Sequence, residues 1–254
     1  MHRASILRAQ CSQIPTRELA TPHGYGGNVT QLDSTQAVPQ PTLGAPDANE
    51  CEVLLIRHGR SADVVPGSAE SADPPLHEIG VRQADQLALR LGGKTIHAVY
   101  SSHLARARQT AAPLARPRAL EVGIYEDLEE VRMGEWGNGE FRRRAYIRDP
   151  EWVAWSLTGR WDGIPGGEGD QSLRTRVAAV VDQLATDHQG QTIAVVAHGG
   201  AINAYVAHLL GTHRTMLFSC ENTSVTTVRL LAGRPTLMTV NDCHHLYDPV
   251  LGQT

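Results

Sequence analysis

The sequence predicts an α/β protein: a three-layer α/β/α sandwich with a mostly parallel central sheet. Three observations lead there. Two short, wholly apolar runs, Val53-Leu54-Leu55-Ile56 and Ile193-Ala194-Val195-Val196-Ala197, have the length and composition of strands covered on both faces. Amphipathic helical patterns lie between the apolar runs, and strands alternating with helices build a sheet with helices on either side. The chain has 254 residues, 41% of them apolar, enough for one substantial core.

Residues 1–50 stand apart. They mix Gln, Thr, Pro and Gly, as in Thr21-Pro22-His23-Gly24-Tyr25-Gly26-Gly27 and Val38-Pro39-Gln40-Pro41, with no sustained period. Such a segment buries too little to offset its ordering entropy, so it reads as a disordered N-terminal extension. Arg3, Arg8 and Arg17 precede any acid, as in a transit peptide, but the apolar stretch at Ile6-Leu7 is too short for a secretory signal.

From residue 51 to the end the pattern is that of one domain. A buried strand at Val53–Ile56 is followed by a helix over 80–92, where Val81, Ala84, Leu87, Ala88 and Leu91 share one face. A strand at His97–Tyr100, a helix over 103–115 and a short strand near 120–124 come next. Leu173, Val177, Val180, Val181 and Leu184 mark a helix over 171–187. The strand Ile193–Ala197 leads into a helix over 201–210, and strands Val225–Leu231 and Thr236–Val240 complete the sheet.

Formal net charge is −4, which gives no electrostatic reason to expect a nucleic acid or a membrane surface as partner. No apolar run approaches the roughly 20 residues of a membrane span. Cys11, Cys51, Cys220 and Cys243 show neither C-x-x-C nor zinc-finger spacing, so they read as reduced thiols of a cytoplasmic protein. Among the 23 basic residues only Lys94 is a lysine, and there are 12 histidines. Base-composition bias accounts for the total; only position can assign some of those arginines a task.

Position does so in two places. Val53-Leu54-Leu55-Ile56-Arg57-His58-Gly59 and Ile193-Ala194-Val195-Val196-Ala197-His198-Gly199-Gly200 each run a buried strand straight into His-Gly. Ligands of open α/β sheets bind outside the carboxyl ends of the strands, so both histidines are expected at one edge. A third strand ends at Ser101-Ser102, and the next helix opens with Leu104-Ala105-Arg106 beside amides that favour anions. Two Arg and two His converging on helix N-termini define a phosphate pocket and would repel a metal ion, so neither metal nor cofactor is expected. The blander reading of His58 is a satisfied histidine at a strand end. Arg108 competes with Arg106 but points to another helix face.

Further segments join these in order: Pro75-Leu76-His77-Glu78-Ile79-Gly80, Leu128-Glu129-Glu130-Val131-Arg132-Met133-Gly134 and Pro165-Gly166-Gly167-Glu168. With them, residues 51–245 resemble the histidine phosphatase superfamily, the phosphoglycerate mutase-like branch 1. The resemblance implies a phosphoglycerate mutase-like fold in which His58 attacks phosphorus. Arg57, Arg106 and His198 would hold the phosphoryl oxygens, with Arg60, Ser61 and Gly199 beside them. Glu130, with Glu129 as its rival, would protonate the leaving oxygen and then activate water. Charge repulsion from the Arg residues would keep His58 neutral, and Glu130 needs shielding to hold its proton.

The departures are informative. Arg60 stands where many members carry Gln or Glu, and Val64 where an Asn often touches phosphate. Mutases carry a long insertion after the acid, whereas 34 residues separate Glu130 from Pro165 here. That favours a metal-independent phosphatase acting on a small phosphorylated metabolite. A mutase-type phosphotransferase and a non-catalytic phospho-ligand-binding module are the alternatives, and a second copy of the chain is the one protein partner expected. The insertion, 135–164, concentrates Trp136, Phe141, Tyr146, Trp152, Trp155 and Trp161 with Arg142-Arg143-Arg144 and Arg148. One reading is a helical flap pinned by Trp152 and Trp155; another is a lid whose Trp136 and Arg143 touch the substrate's organic part. His103, His208, His213, His244 and His245 are expected on the surface or the pocket rim, and Arg116 and Arg118 on a solvated loop.

Overall fold

The computed structural model describes residues 48–247. The predicted N-terminal extension lies outside the described residues except for its last three positions. A six-stranded sheet runs through the domain in the order β3-β2-β4-β1-β5-β6. Its strands are β1 (Glu50–Arg57), β2 (Ala98–Ser101), β3 (Val122–Ile124), β4 (Thr192–Ala197), β5 (Val225–Leu231) and β6 (Arg234–Asp242). The β1–β4, β2–β4 and β2–β3 pairs are parallel, and β5 runs antiparallel to both β1 and β6. The expected mostly parallel sheet is present, with the two late strands as its antiparallel edge.

The two apolar runs are the neighbouring central strands β4 and β1, and each splits its side chains between two cores. Cys51, Val53, Leu55, Ile193, Val195 and Ala197 pack on one side with α5 (Gly169–Asp187) and α6 (Gly199–Leu209). Leu54, Ile56, Ala194 and Val196 face the opposite layer, α1 (Glu78–Arg90) and α2 (Ala105–Ala115). Period-2 alternation with apolar residues on both faces is what a doubly covered strand requires. Each fully buried Leu or Ile contributes about 1.5–3 kcal/mol.

Local chemistry sets the helix starts. His77 caps α1, its Nδ1 accepting from the Ile79 amide at 3.1 Å. Asp73 reaches across from the preceding loop to accept from the Ala105 amide at 2.9 Å, opening α2. Gly80, in the first turn of α1, lies against the loop after β1, where a Cβ would overlap the Arg60 carbonyl oxygen. The insertion holds two short helices, α3 (Glu140–Tyr146) and α4 (Pro150–Ser156). Asp149 and Pro150 start α4, with Asp149 Oδ1 accepting from the Glu151 amide at 3.0 Å.

Two expectations are corrected. Arg118 is not on a solvated loop: it donates to the Leu114, Leu91 and Lys94 carbonyls, tying the end of α2 to the end of α1. His245 is not on the surface or a rim but 1% exposed, because the chain after β6 folds back against α1.

Candidate active site

Register brings the two His-Gly segments together. Ile56 pairs with Val196 and Arg57 with Ala197, so the chains leave β1 and β4 side by side, and the His58 amide donates to the Ala197 carbonyl at 3.0 Å. The imidazole centroids of His58 and His198 lie 4.9 Å apart. A cavity of about 660 Å³ opens over His58, lined also by Arg57, Arg60, Ser61, Arg106, Glu129, Glu130, Arg142 and Asn222. His198 and Gly199 are set back from its wall: His198 is fully buried, and Gly199 starts α6 beside the Arg57 side chain.

His58 has one ring nitrogen occupied and one directed at cations. Nδ1 lies 2.7 Å from the Gly59 carbonyl, which can only accept, so Nδ1 carries the proton. Nε2 therefore keeps its lone pair and accepts from Arg106 Nε at 3.3 Å. Burial, then the charges of Arg106 and Arg57, hold His58 well below the ordinary histidine range; the Gly59 bond opposes this weakly and Arg142 adds to it. His198 is lowered in the same way by burial, His58 and the two guanidinium groups. Both rings are neutral at physiological pH.

The cations are anchored by neighbouring polar groups. Arg106 is 8% exposed, at the start of α2, with Nη1 at 3.7 Å from Asp73. The Thr110 hydroxyl donates to the Arg106 carbonyl at 2.7 Å and accepts from the Gly59 amide at 3.0 Å, joining α2 to the loop after His58. Arg57 Nη1 donates to the Cys220 carbonyl, while Arg57 Nε and His198 Nδ1 are buried without a hydrogen-bond partner among the described residues. His198 Nε2 lies 2.7 Å from Ser102 Oγ. An unsatisfied buried nitrogen is costly, and Arg57 Nε, which can only donate, would be satisfied by an acceptor such as an anion.

Glu130 and Glu129 are adjacent yet differently held. Glu129 is taken up by Arg132, with Nε at 2.6 Å from Oε1. Glu130 Oε1 accepts from the Val131 amide at 3.0 Å and packs on the start of α6, where a Cβ on Gly200 would overlap it. Arg176 fixes this loop. It donates to the carbonyls of Asp127, Glu129 and Glu130 at 2.8–3.0 Å and pairs with Glu168 at 2.6 Å. Glu168 also accepts from the Arg132 amide, which explains why the Pro165–Glu168 segment accompanies the acid.

In the insertion the structure redistributes the expected roles. Trp136, Phe141, Trp152, Trp155 and Trp161 form one cluster of edge-to-face and tilted ring contacts, with Trp155–Trp161 centroids at 5.2 Å. Trp152 and Trp155 pin the flap, as the first reading of the insertion holds. Arg143 does not face the cavity: it is held by Glu140 at 2.6 Å, and Arg144 lies over the Trp136 ring at 5.0 Å. Arg142, about 100° away from Arg143 around the helix, is the one that lines the cavity, donating to Ser61 Oγ at 2.9 Å and the Ala62 carbonyl at 3.1 Å. Arg60 turns to Asp63 at 3.3 Å, at the mouth. Sequence reasoning missed Asn222, Ser102 and Asp73; only Ser102 carried a signal, as the end of a strand.

A neutral histidine whose unprotonated Nε2 faces guanidinium groups, in a cavity that Glu130 also lines, fits an enzyme of phosphoryl transfer. A profile of the histidine phosphatase superfamily (branch 1) matches residues 53–243, and the chain belongs to that superfamily as a phosphoric monoester hydrolase. It is 32% identical over 206 residues to a metal-independent phosphoserine phosphatase of Arabidopsis thaliana, covering 77% of this chain and 83% of that one. It is 32% identical over 158 residues to the adenosylcobalamin/alpha-ribazole phosphatase of Escherichia coli, covering 62% and 78%. A phosphoglycerate mutase from Bacillus anthracis shares the fold, with TM-score 0.64, 24% identity and coverage of 79% and 97%.

Proposed function

We propose that the protein is a metal-independent phosphatase that hydrolyses phosphate monoesters in two displacements on His58, with a cytoplasmic small metabolite as substrate. His58 Nε2 attacks phosphorus, the N–P bond forms, and the ester P–O bond breaks. Glu130 donates its proton to the leaving oxygen. Glu130 then takes a proton from water as the water attacks the phosphohistidine, releasing inorganic phosphate and the free imidazole. Arg57, Arg106 and His198 would hold the phosphoryl oxygens; Arg106 gives up its bond to Nε2 as the nucleophile turns to phosphorus. Splitting the reaction over a covalent nucleophile lowers each barrier, and preorganised positive charge supplies most of the stabilisation.

The observation that carries this reading is the tautomer of His58, with its proton on Nδ1 toward Gly59 and its lone pair on Nε2 toward Arg106. Arg142 and Arg60 at the cavity mouth support a substrate whose organic part bears a second acidic group. A phosphate-ester panel assayed in chelator, with His58→Ala alongside, tests the proposal. Turnover in chelator that disappears in His58→Ala supports it; turnover that survives the substitution, or that requires divalent metal, overturns it.

A further inference from the structure

Behind the nucleophile runs a hydrogen-bonded chain that the reaction as written does not use. It begins at Thr223, which is fully buried with φ +56°. That left-handed conformation is rare for a β-branched residue and persists only where the surroundings impose it. The Thr223 amide donates to the Arg57 carbonyl at 3.0 Å, so the strained residue holds the last residue of β1. Its neighbour Asn222 donates from Nδ2 to the His58 carbonyl at 2.9 Å and lines the cavity.

The direction of the chain follows from counting protons. The Thr223 hydroxyl donates its single proton to the Asn222 carbonyl at 2.7 Å. Its bond with His245 Nε2 at 3.0 Å must therefore be one in which the imidazole donates. On the other side of the ring, Arg90 Nη1 lies 3.3 Å from His245 Nδ1. A guanidinium only donates, so Nδ1 accepts. Both contacts select one neutral tautomer. Burial and the Arg90 charge, opposed by Asp242, bring His245 down to about 4, so that form prevails at neutral pH. Arg90 is in turn clamped by both oxygens of Asp242.

We propose that His245 is a positioning residue for phosphoryl transfer, acting through Thr223 and Asn222 to fix the backbone of Arg57 and His58. The proposal rests on His58 being the nucleophile. Arg57 and His58 are consecutive, so a shift of their carbonyls moves a phosphate-binding cation and the attacking nitrogen together. Misplacement of reacting atoms by about 1 Å costs on the order of 100-fold in rate.

The test uses Thr223→Val, Thr223→Ser and His245→Leu in the full chain, with p-nitrophenyl phosphate as substrate. The rate of phosphoenzyme formation is measured by rapid quench, and KM and the thermal midpoint alongside. Thr223→Val keeps the branched shape and removes only the hydroxyl, so it keeps the test open if His245→Leu does not fold. The expected result is a phosphorylation rate lowered about 10- to 100-fold in Thr223→Val and His245→Leu, KM changed less than about threefold, and recovery in Thr223→Ser. A wild-type rate in folded Thr223→Val, or a Ser variant no better than the Val variant, overturns the proposal. His58→Ala is run in parallel: turnover there shows that the nucleophile assignment itself has failed, whereas inactive His58→Ala with a fully active Thr223→Val rejects only the positioning role.

Discussion

The floor of the cavity and the flap above it are both rich in arginine, yet they use it in opposite ways. On the floor, Arg57 and Arg106 lie at element ends, anchored by the Cys220 carbonyl, His58 and Asp73, and both line the cavity beside His58. In the flap, Arg143 and Arg144 are taken up by Glu140, Asp149 and Glu151, and only Arg142 faces inward. Charge that converges on one point can stabilise a transition state. Charge paired off within a short helix holds the helix. On the proposed reading the floor carries the chemistry, and the flap contributes structure and part of the cavity wall through Trp136, Phe141, Arg142 and Trp161.

That contrast can be broken or sharpened by substitution. On the floor, His58→Ala is expected to lower kcat by about 10^4-fold or more with KM little changed, as measured on p-nitrophenyl phosphate. Arg106→Gln should cost about 100- to 1000-fold in kcat, the range for loss of one preorganised donor. If Arg144→Gln in the flap costs as much, the contrast is wrong. On α5, Arg176→Gln leaves Glu168 buried beside the emptied carbonyls of Asp127, Glu129 and Glu130. Calorimetry should show a destabilisation of about 3–5 kcal/mol, with kcat falling because Glu130 loses its anchor. Arg142→Gln is the smallest expected change: KM rises about tenfold on a carboxylated phosphate ester while kcat/KM on p-nitrophenyl phosphate stays within about twofold. Equal loss on both substrates would place Arg142 on the phosphoryl group instead.

Acid pH offers a check of the buried histidines. His58, His198 and His245 all have folded values below the ordinary 6.5. The unfolded chain therefore binds protons first as pH falls, so stability is fully present above about 6.5 and declines below it. In the folded enzyme His58 takes up its proton only well below 6.5. Thermal midpoints should drop between pH 7 and pH 5, while kcat/KM should show no acid limb at 6.5 from His58.

The floor was legible in the sequence because strands announce themselves. Doubly buried strands are continuous apolar runs, and the residue following such a run stands at the ligand edge of an α/β sheet. That placed His58 and His198 without knowledge of register. The flap was legible only as a concentration of Trp and Arg, since which face of a seven-residue helix points inward depends on what packs against it. Arg143 was the residue expected there, and Arg142 occupies the place. His245 followed a polar stretch, Asn241-Asp242-Cys243-His244, that carries no period, and its burial arises from α1, more than 150 positions earlier in the chain. A threonine in the left-handed region leaves no trace in sequence at all.

The central claim is that the phosphoryl group passes through His58, and rapid quench of the enzyme with a labelled phosphate ester tests it most directly. The account predicts a labelled protein that is stable in alkali and labile in acid, with peptide mass spectrometry placing the added phosphate on the His58 imidazole. Turnover without labelled protein, or label on any other residue, would contradict it.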